Sequence, residues 1–206
     1  MGVAGAHKLI GALDAFGLSV AGRRCLDAGA STGGFTEVLL DRSARQVIAA
    51  DVGYGELAWS LRNDPRVTVM ERTNVRELTS DAIGGPVDLI VADLSFISLS
   101  TVLPALTSCA SPDADVVPMV KPQFEVGRER VGAGGVVSDP ALRADAVVSV
   151  ARRAAELHWF PVAVTASPLP GPSGNVEYFV HLRRDTGLVG DEFEIAVHTA
   201  VAEGPQ

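Results

Sequence analysis

The residues whose types and spacing best suit chemistry lie in the run Leu26-Asp27-Ala28-Gly29-Ala30-Ser31-Thr32-Gly33-Gly34-Phe35-Thr36. An apolar run from Cys25 to Ala28 carries one carboxylate and meets a turn dense in glycine and hydroxyls. Phe35, Val38 and Leu39 then recur at spacings that share one helical face. Strand, Gly-rich turn and helix make the opening of a nucleotide-binding α/β unit. Small residues let a ligand approach the backbone, and the helix start offers free N–H groups and positive dipole. The spacing then narrows the ligand. A dinucleotide site wants G-x-G-x-x-G, and Ser31 stands where the second Gly belongs. A phosphate loop wants G-x-x-x-x-G-K-[ST]; Gly29 and Gly34 fit, but Phe35 replaces the Lys. What remains, D-x-G-x-x-x-G-G-F, suits a ligand with a carboxylate, an amine and a ribose but no phosphate. S-adenosylmethionine is such a ligand. An ordinary tight βα turn is the alternative for this stretch.

Further polar residues fall at the ends of apolar runs. Asp51 closes the run Gln46 to Asp51, about 20 residues past the Gly turn, where a ribose-binding acid belongs. Gly53 and Gly55 follow it; a solvated strand-end Asp is the plain alternative. Asn74, after the third strand, is a candidate for an adenine edge. Asp93 follows the fourth strand and Lys121 the fifth, so both reach the sheet edge where open α/β folds bind ligands. An acid and a Lys there share one crevice, unless they form a simple surface ion pair of little worth.

These residues need a scaffold. His7 to Phe16 reads as a helix, with Leu9, Ile10, Leu13 and Phe16 at helical spacing and Gly17 closing it. Glu56 to Arg62 reads as a short helix and Val67 to Met70 as the third strand. Val87 to Ala92 is near-continuously apolar, as a strand buried on both faces should be, and Val116 to Val120 is the fifth strand. Gly127 to Ser138 is a Gly/Val loop, and Asp139-Pro140 opens a long helix with Pro at its first position. Phe160 to Thr165 is a sixth strand, and Val176 to Leu182 a seventh with Glu177 near its start. A turn-rich loop, not a helix, joins those two strands, and a helix with Phe193, Ala196, Val197, Ala200 and Val201 on one face closes the chain.

Composition bounds the rest. The 206 residues suit one domain, 1–206, with a Val, Leu, Ile and Ala core. Two cysteines in or near apolar runs suggest no disulfide framework and a cytoplasmic setting. No apolar run approaches the roughly 18 residues a spanning helix needs, so no membrane insertion is expected. The four histidines show no metal-ligand spacing, and no metal is expected. A net charge of −8 argues against binding nucleic acid through overall charge, though not against a local basic face.

The arrangement is that of a class I, Rossmann-like methyltransferase: a seven-stranded, mostly parallel sheet with helices on both faces. The sequence closely resembles the TlyA family of haemolysin-type ribosomal RNA methyltransferases, within the wider FtsJ-like group. Six blocks carry the resemblance in order: Gly5 to Leu9, Asp27 to Thr36, Leu61 to Val67, Ala92 to Leu99, Val120 to Gly127, and Gly171 to Tyr178. It implies a Lys-Asp-Lys-Glu tetrad, falling on Lys8, Asp93, Lys121 and Glu177. It implies S-adenosylmethionine as methyl donor and a ribosomal cytidine 2′-hydroxyl as acceptor, with ribosomal RNA or subunits as the partner. No obligate protein partner is implied.

The residue types fit that chemistry. A sulfonium methyl is a good electrophile, and the ribose hydroxyl is a weak nucleophile until its proton is drawn away. Lys121 is expected to hold the hydroxyl and accept or steer its proton, as a Lys does when burial and cationic neighbours such as Lys8 favour its neutral form. Asp93 and Glu177 would orient the two lysines. Asp27, Gly29, Ala30, Ser31, Gly33 and Phe35 are expected around the methionine and ribose side of the donor, with Asp51 on ribose hydroxyls and Asn74 at adenine. Family members carry an N-terminal S4-type RNA-binding domain and a linker ending Ser-Arg-Gly. Here the chain opens Met1-Gly2-Val3-Ala4, so the S4 domain is expected to be absent and Ala4 stands for the family Arg. Two rival readings are a haemolysin, after the family's old name, and a module that binds the cofactor without catalysis. A dehydrogenase fits less well, given the Gly spacing.

Overall fold

The computed structural model describes residues 2–205. The strands are β1 (Arg24–Ala28), β2 (Gln46–Ala50), β3 (Val67–Met70), β4 (Val87–Ala92), β5 (Ala110–Val120), β6 (Trp159–Ala166) and β7 (Tyr178–Arg184). The helices are α1 (Gly2–Phe16), α2 (Gly34–Asp41), α3 (Trp59–Arg62), α4 (Leu99–Ser108), α5 (Pro140–Glu156) and α6 (Asp191–Glu203). All seven strands form one sheet in the order β3-β2-β1-β4-β5-β7-β6. The pairs from β3 through β5 are parallel, and β7 runs antiparallel to both β5 and β6.

Alternation along the strands splits the core in two. Leu26, Ile48, Ile90, Val116 and Val180 pack with α4, α5 and α6 residues such as Leu103, Val147 and Val197. Cys25, Val47, Val91, Met119 and Phe179 point the other way and pack with Leu9, Leu13, Phe35 and Leu39 of α1 and α2. Period-2 strands with apolar residues on both faces are what a sheet covered by helices on both sides demands.

The register levels the site. Ala28 pairs with Ala50 on one side and Ala92 on the other, so Gly29, Asp51 and Asp93 emerge together at one edge. The backbone continues the ladder just past the strands: Gly29 N donates to Ala50 O at 2.8 Å and Asp93 N to Ala28 O at 3.0 Å. At β1's other end, buried Asp115 accepts from Arg23 and pairs with His181, each at 2.6 Å. The Phe16 ring lies 5.5 Å from that of His181, tying the end of α1 to the same cluster.

Several elements depart from the sequence expectation. Helix α1 begins at Gly2, well before His7, because its first turns pack on α2 through glycines rather than through an apolar stripe. A Cβ on Gly34 would lie 2.5 Å from the Gly2 carbonyl, so this crossing tolerates only glycine. Strand β5 starts six residues before Val116, where Ser111, Pro112 and Asp113 mask it, and its pairing with β4 shifts register between Val87 and Leu89. Helix α4, which the sequence reading did not assign, holds Pro104 in its interior. Helix α3 is only Trp59–Arg62, shorter than expected. Strand β7 starts at Tyr178, so Glu177 sits on the preceding loop.

Because α1 is held to the sheet by Leu9 and Leu13, both essentially fully buried, Leu9→Ala should cost about 2–5 kcal/mol. At roughly 2–4 °C per kcal/mol for a chain of this size, a thermal melt should fall by about 5–15 °C.

Candidate active site

The Gly turn is shaped by close backbone contact. Gly29 has φ +85°, and a Cβ there would run into the Asp93 carbonyl oxygen and come 3.0 Å from Leu94. Only glycine lets the loop after β1 cross the loop after β4 at this distance. Ser31 also holds a left-handed backbone at φ 49°, the strained kind of position that clusters at binding sites. Its N–H donates to Asp51 Oδ2 at 2.8 Å, and Gly53 N donates to Asp51 Oδ1 at 2.7 Å. Asp51 is thereby held in one orientation, with lone pairs remaining on each oxygen for a ligand hydroxyl.

Two cavities flank this turn. One, of about 600 Å³, is lined by Gly29, Ser31, Asp51, Asn74, Asp93 and Phe96 among others. The second, of about 320 Å³, is lined by Lys8, Lys121, Glu177, Ala30 and Phe35 among others. Gly29, Ser31, Asp93 and Ser95 line both, so the two spaces share a wall. Ten of the twelve residues singled out from the sequence line one or both.

The tetrad forms two ion pairs in the smaller cavity. Lys8 Nζ meets Glu177 Oε2 at 2.7 Å with side chains 8% and 1% exposed. Lys121 Nζ meets Asp93 Oδ1 at 2.7 Å, with Asp93 the most open of the four at 29%. Lys121 Nζ also donates to Ser95 Oγ at 2.9 Å. Lys8 comes from α1, Asp93 and Lys121 from the ends of parallel neighbours β4 and β5, and Glu177 from the loop before β7. Four distant stretches of chain thus converge on one cavity. Gly171 lies tight against Glu177, where a Cβ would fall 2.5 Å from Oε1.

Asp27 and Gly33, expected around the donor, line neither cavity. Asp27 lies fully buried beneath the turn; its Oδ2 accepts from Thr36 Oγ1 at 2.7 Å and its Oδ1 is buried without a partner. Desolvation raises its pKa to about 7 against the pull of the Thr36 hydrogen bond, and the Asp93 and Asp51 charges push the same way. Gly33 has φ +104° and its missing Cβ leaves room for Leu61 and Leu57, so its role is to shape the start of α2. Asn74 lines the larger cavity, while its Oδ1 accepts from Arg76 N at 3.1 Å.

Sequence reasoning left four residues near the site without a role. Ser95 touches Lys121. Phe96 is 90% exposed, holds φ 64°, and its ring lies tilted against that of Phe124 with centroids 5.2 Å apart. An exposed Phe in a left-handed backbone is a double departure from what sequence pattern expects. Glu56 accepts from Ser31 Oγ at 3.4 Å beside Asp51. Glu125 accepts from Ser98 Oγ and Leu99 N; burial raises its carboxyl while these two donors lower it. Both cysteines are buried and their thiols raised, Cys25 to about 12, so neither offers a thiolate near neutral pH. Among the described residues, no group of three or more His, Cys, Asp or Glu is set to hold a metal ion.

A family model for FtsJ-like methyltransferases matches residues 4–184. The chain is 72% identical over 203 residues to the 16S/23S rRNA (cytidine-2′-O)-methyltransferase TlyA of Mycobacterium tuberculosis, covering 98% of this chain and 76% of that protein. It is 38% identical over 176 residues to Hemolysin A of Brachyspira hyodysenteriae, covering 85% of this chain and 73% of that one. A solved hemolysin candidate from Streptococcus thermophilus superposes with a TM-score of 0.91 at 38% identity, covering 97% of this chain and 72% of that one. Among the described residues no helix is long and apolar enough to cross a membrane.

The raised carboxyl of Asp27 gives a signed pH dependence. Its folded-state pKa, about 7, lies above the ordinary 3.8, so the folded chain binds this proton more tightly than the unfolded chain. Stability from this group is greatest below about pH 4 and is lost as pH rises to about 7. Asp27→Asn removes the dependence. The stability of the variant relative to the parent should therefore climb between about pH 4 and 7 and then level off. The climb is on the order of 4 kcal/mol, read by denaturant melts across pH.

Proposed function

Because the chain belongs to the FtsJ-like methyltransferase family, we propose that it transfers a methyl group from S-adenosylmethionine to the ribose 2′-hydroxyl of cytidine in ribosomal RNA. The observation that carries this reading is the wall shared by two cavities. A Gly-turn cavity with a fixed Asp51 adjoins a cavity faced by two lysine–carboxylate pairs, and Asp93 and Ser95 belong to both. A methyl donor on one side of that wall and a nucleophile on the other is the geometry a direct transfer needs.

The residues of the larger cavity fit the donor. Gly29 and Ser31 line this cavity with turn backbone, and Asp51 presents oriented acceptors for ribose hydroxyls. Asn74 faces the same cavity, where an adenine edge would lie. When bound, the donor supplies an electrophilic sulfonium methyl.

The chain's own work is on the acceptor. Lys121, anchored by Asp93 and Ser95, holds the ribose hydroxyl and draws off or steers its proton as the oxygen attacks. Lys8 keeps positive charge close to Lys121, and Glu177 fixes Lys8 while balancing that charge. Holding oxygen and methyl carbon in line supplies a large share of the rate through positioning alone. The exposed Phe96 face suits stacking by a base splayed out of an RNA strand. The chain carries a net charge of −8, so contacts to RNA are local rather than global. Residues 2–205 act in this reading as one methyltransferase domain, working on ribosomal RNA in the cytoplasm.

The product is distinctive: a 2′-O-methyl group blocks alkaline cleavage at its own phosphodiester. Ribosomal subunits lacking the modification, incubated with the chain and labelled donor, should yield label in an alkali-resistant dinucleotide. Label released in mononucleotides would mean base methylation and overturn the reading. Lys121→Ala should cut transfer by about 10²-fold or more while leaving donor affinity intact. Asp51→Ala should instead weaken donor binding by about 10- to 100-fold in titration calorimetry.

A further inference from the structure

We propose that Glu125 is a positioning residue for methyl transfer, clamping the two segments that carry Asp93 and Lys121 at a fixed separation. The inference rests on the function proposed above, in which those two residues act on the acceptor hydroxyl. Asp93 opens the segment from β4 to α4, and Lys121 opens the segment that leaves β5. The ladder between these two strands ends at Ala92 and Pro118, while β5 stays paired with β7 as far as Val120. Beyond that point no ladder joins the two segments to each other, and side chains supply the ties.

One tie is at the reacting end, where Lys121 meets Asp93 and Ser95. Glu125 supplies the other. Its Oε2 accepts from the Ser98 hydroxyl at 2.7 Å and its Oε1 from the Leu99 N–H at 2.8 Å. Ser98 is the N-cap of α4 and Leu99 its first residue, so the carboxylate also meets the positive end of a ten-residue helix. Both carboxylate oxygens are thus spent on the opposite segment.

The two segments also line a cleft of about 520 Å³. Phe96, Ile97 and Ser98 form one wall, and Gln123 and Phe124 line it from the Lys121 segment. Glu125 follows Phe124 and bonds Ser98, so it joins the two walls of this cleft and holds the Phe96–Phe124 contact between them. Losing the clamp lets both walls drift. A displacement of about 1 Å at a reacting group is enough to cost on the order of 10²-fold in rate.

The test uses the full chain with unmodified ribosomal subunits and three variants, Glu125→Ala, Glu125→Gln and Ser98→Ala. Glu125→Ala should lower kcat by about 30- to 100-fold. Its dissociation constant for S-adenosylmethionine should change far less than kcat, by about threefold at most, because Gly29, Ser31 and Asp51 sit on the turns after β1 and β2 and only the Asp93 to Ile97 wall of that cavity belongs to the clamped segment. Glu125→Gln keeps an acceptor for Leu99 N–H and should recover most of the rate, within about fivefold of the parent. Ser98→Ala removes one of the two bonds and should lower kcat by about fivefold. Combined with Glu125→Ala it should lower kcat little further, the cap bond from Ser100 N that Ser98→Ala also removes costing stability of α4 instead. Parental kcat in Glu125→Ala, or donor affinity falling in step with rate, overturns the proposal. Should Glu125→Ala fail to fold, Ser98→Ala decides: unchanged kcat overturns it and a selective loss of kcat supports it. A parent chain that makes no alkali-resistant product fails the proposed function instead, so the two failures are distinct.

Discussion

The site depends on one approach of backbone to backbone. The turn after β1 crosses the end of β4 so closely that no side chain fits between Gly29 and the Asp93 carbonyl. Strand register produces this meeting, because Ala28, Ala50 and Ala92 sit level and the next residue of each strand arrives at the same height. The two cavities touch for that reason. A thicker residue at 29 would part the strand ends and widen the distance between anything bound at Asp51 and anything bound at Lys121. The same closeness makes Asp93 a member of both cavities, facing the turn through its backbone and Lys121 through its carboxylate.

The two lysine–carboxylate pairs are poor investments in stability. Removing two charges from water costs several kcal/mol each, and attraction inside the protein roughly offsets that only with good geometry. Lys8 and Glu177 are almost completely buried, and apolar residues of similar volume would serve packing as well or better. The pairs are explained by what they present to the cavity: an amine held in place, with a second cation behind it. Helix α1 follows the same logic. Leu9, Ala12 and Leu13 bury its apolar side, and Lys8, one residue from Leu9, is carried inward with them.

Much of this was legible in the sequence, and the exceptions have physical causes. Residues at the carboxyl ends of apolar runs, Asp51, Asp93 and Lys121, are readable because a parallel sheet delivers every strand end to one edge. Lys8 and Glu177 lie on a helix and a loop; only the resemblance to a known family pointed to them. Asp27 looked like a ligand contact because it sits beside the Gly turn, but strand alternation sends its side chain under the sheet. Gly33 looked like part of a ligand cradle and instead makes room for two leucines. Glu125 and Ser95 act across a separation of 26 or 27 residues between loops, and no periodicity records such contacts. Helix α4 was hidden by Pro104, and the start of β5 by Pro112.

Charge economy around the Gly turn ties these features together. Three carboxylates, Asp27, Asp51 and Asp93, surround it, and Asp93 and Asp51 each raise the pKa of Asp27. Three anions at one turn would repel one another with no cation to hold them. The fold limits the repulsion in three ways. Burial holds Asp27 as the neutral acid up to about pH 7. Two backbone N–H groups spread the charge of Asp51. Lys121 neutralises Asp93. The proposed donor brings positive charge to the same edge, and its demethylated product has lost the sulfonium charge. Asp51 alone then keeps a charge with no cation beside it, and that charge would favour the sulfonium form over the spent one.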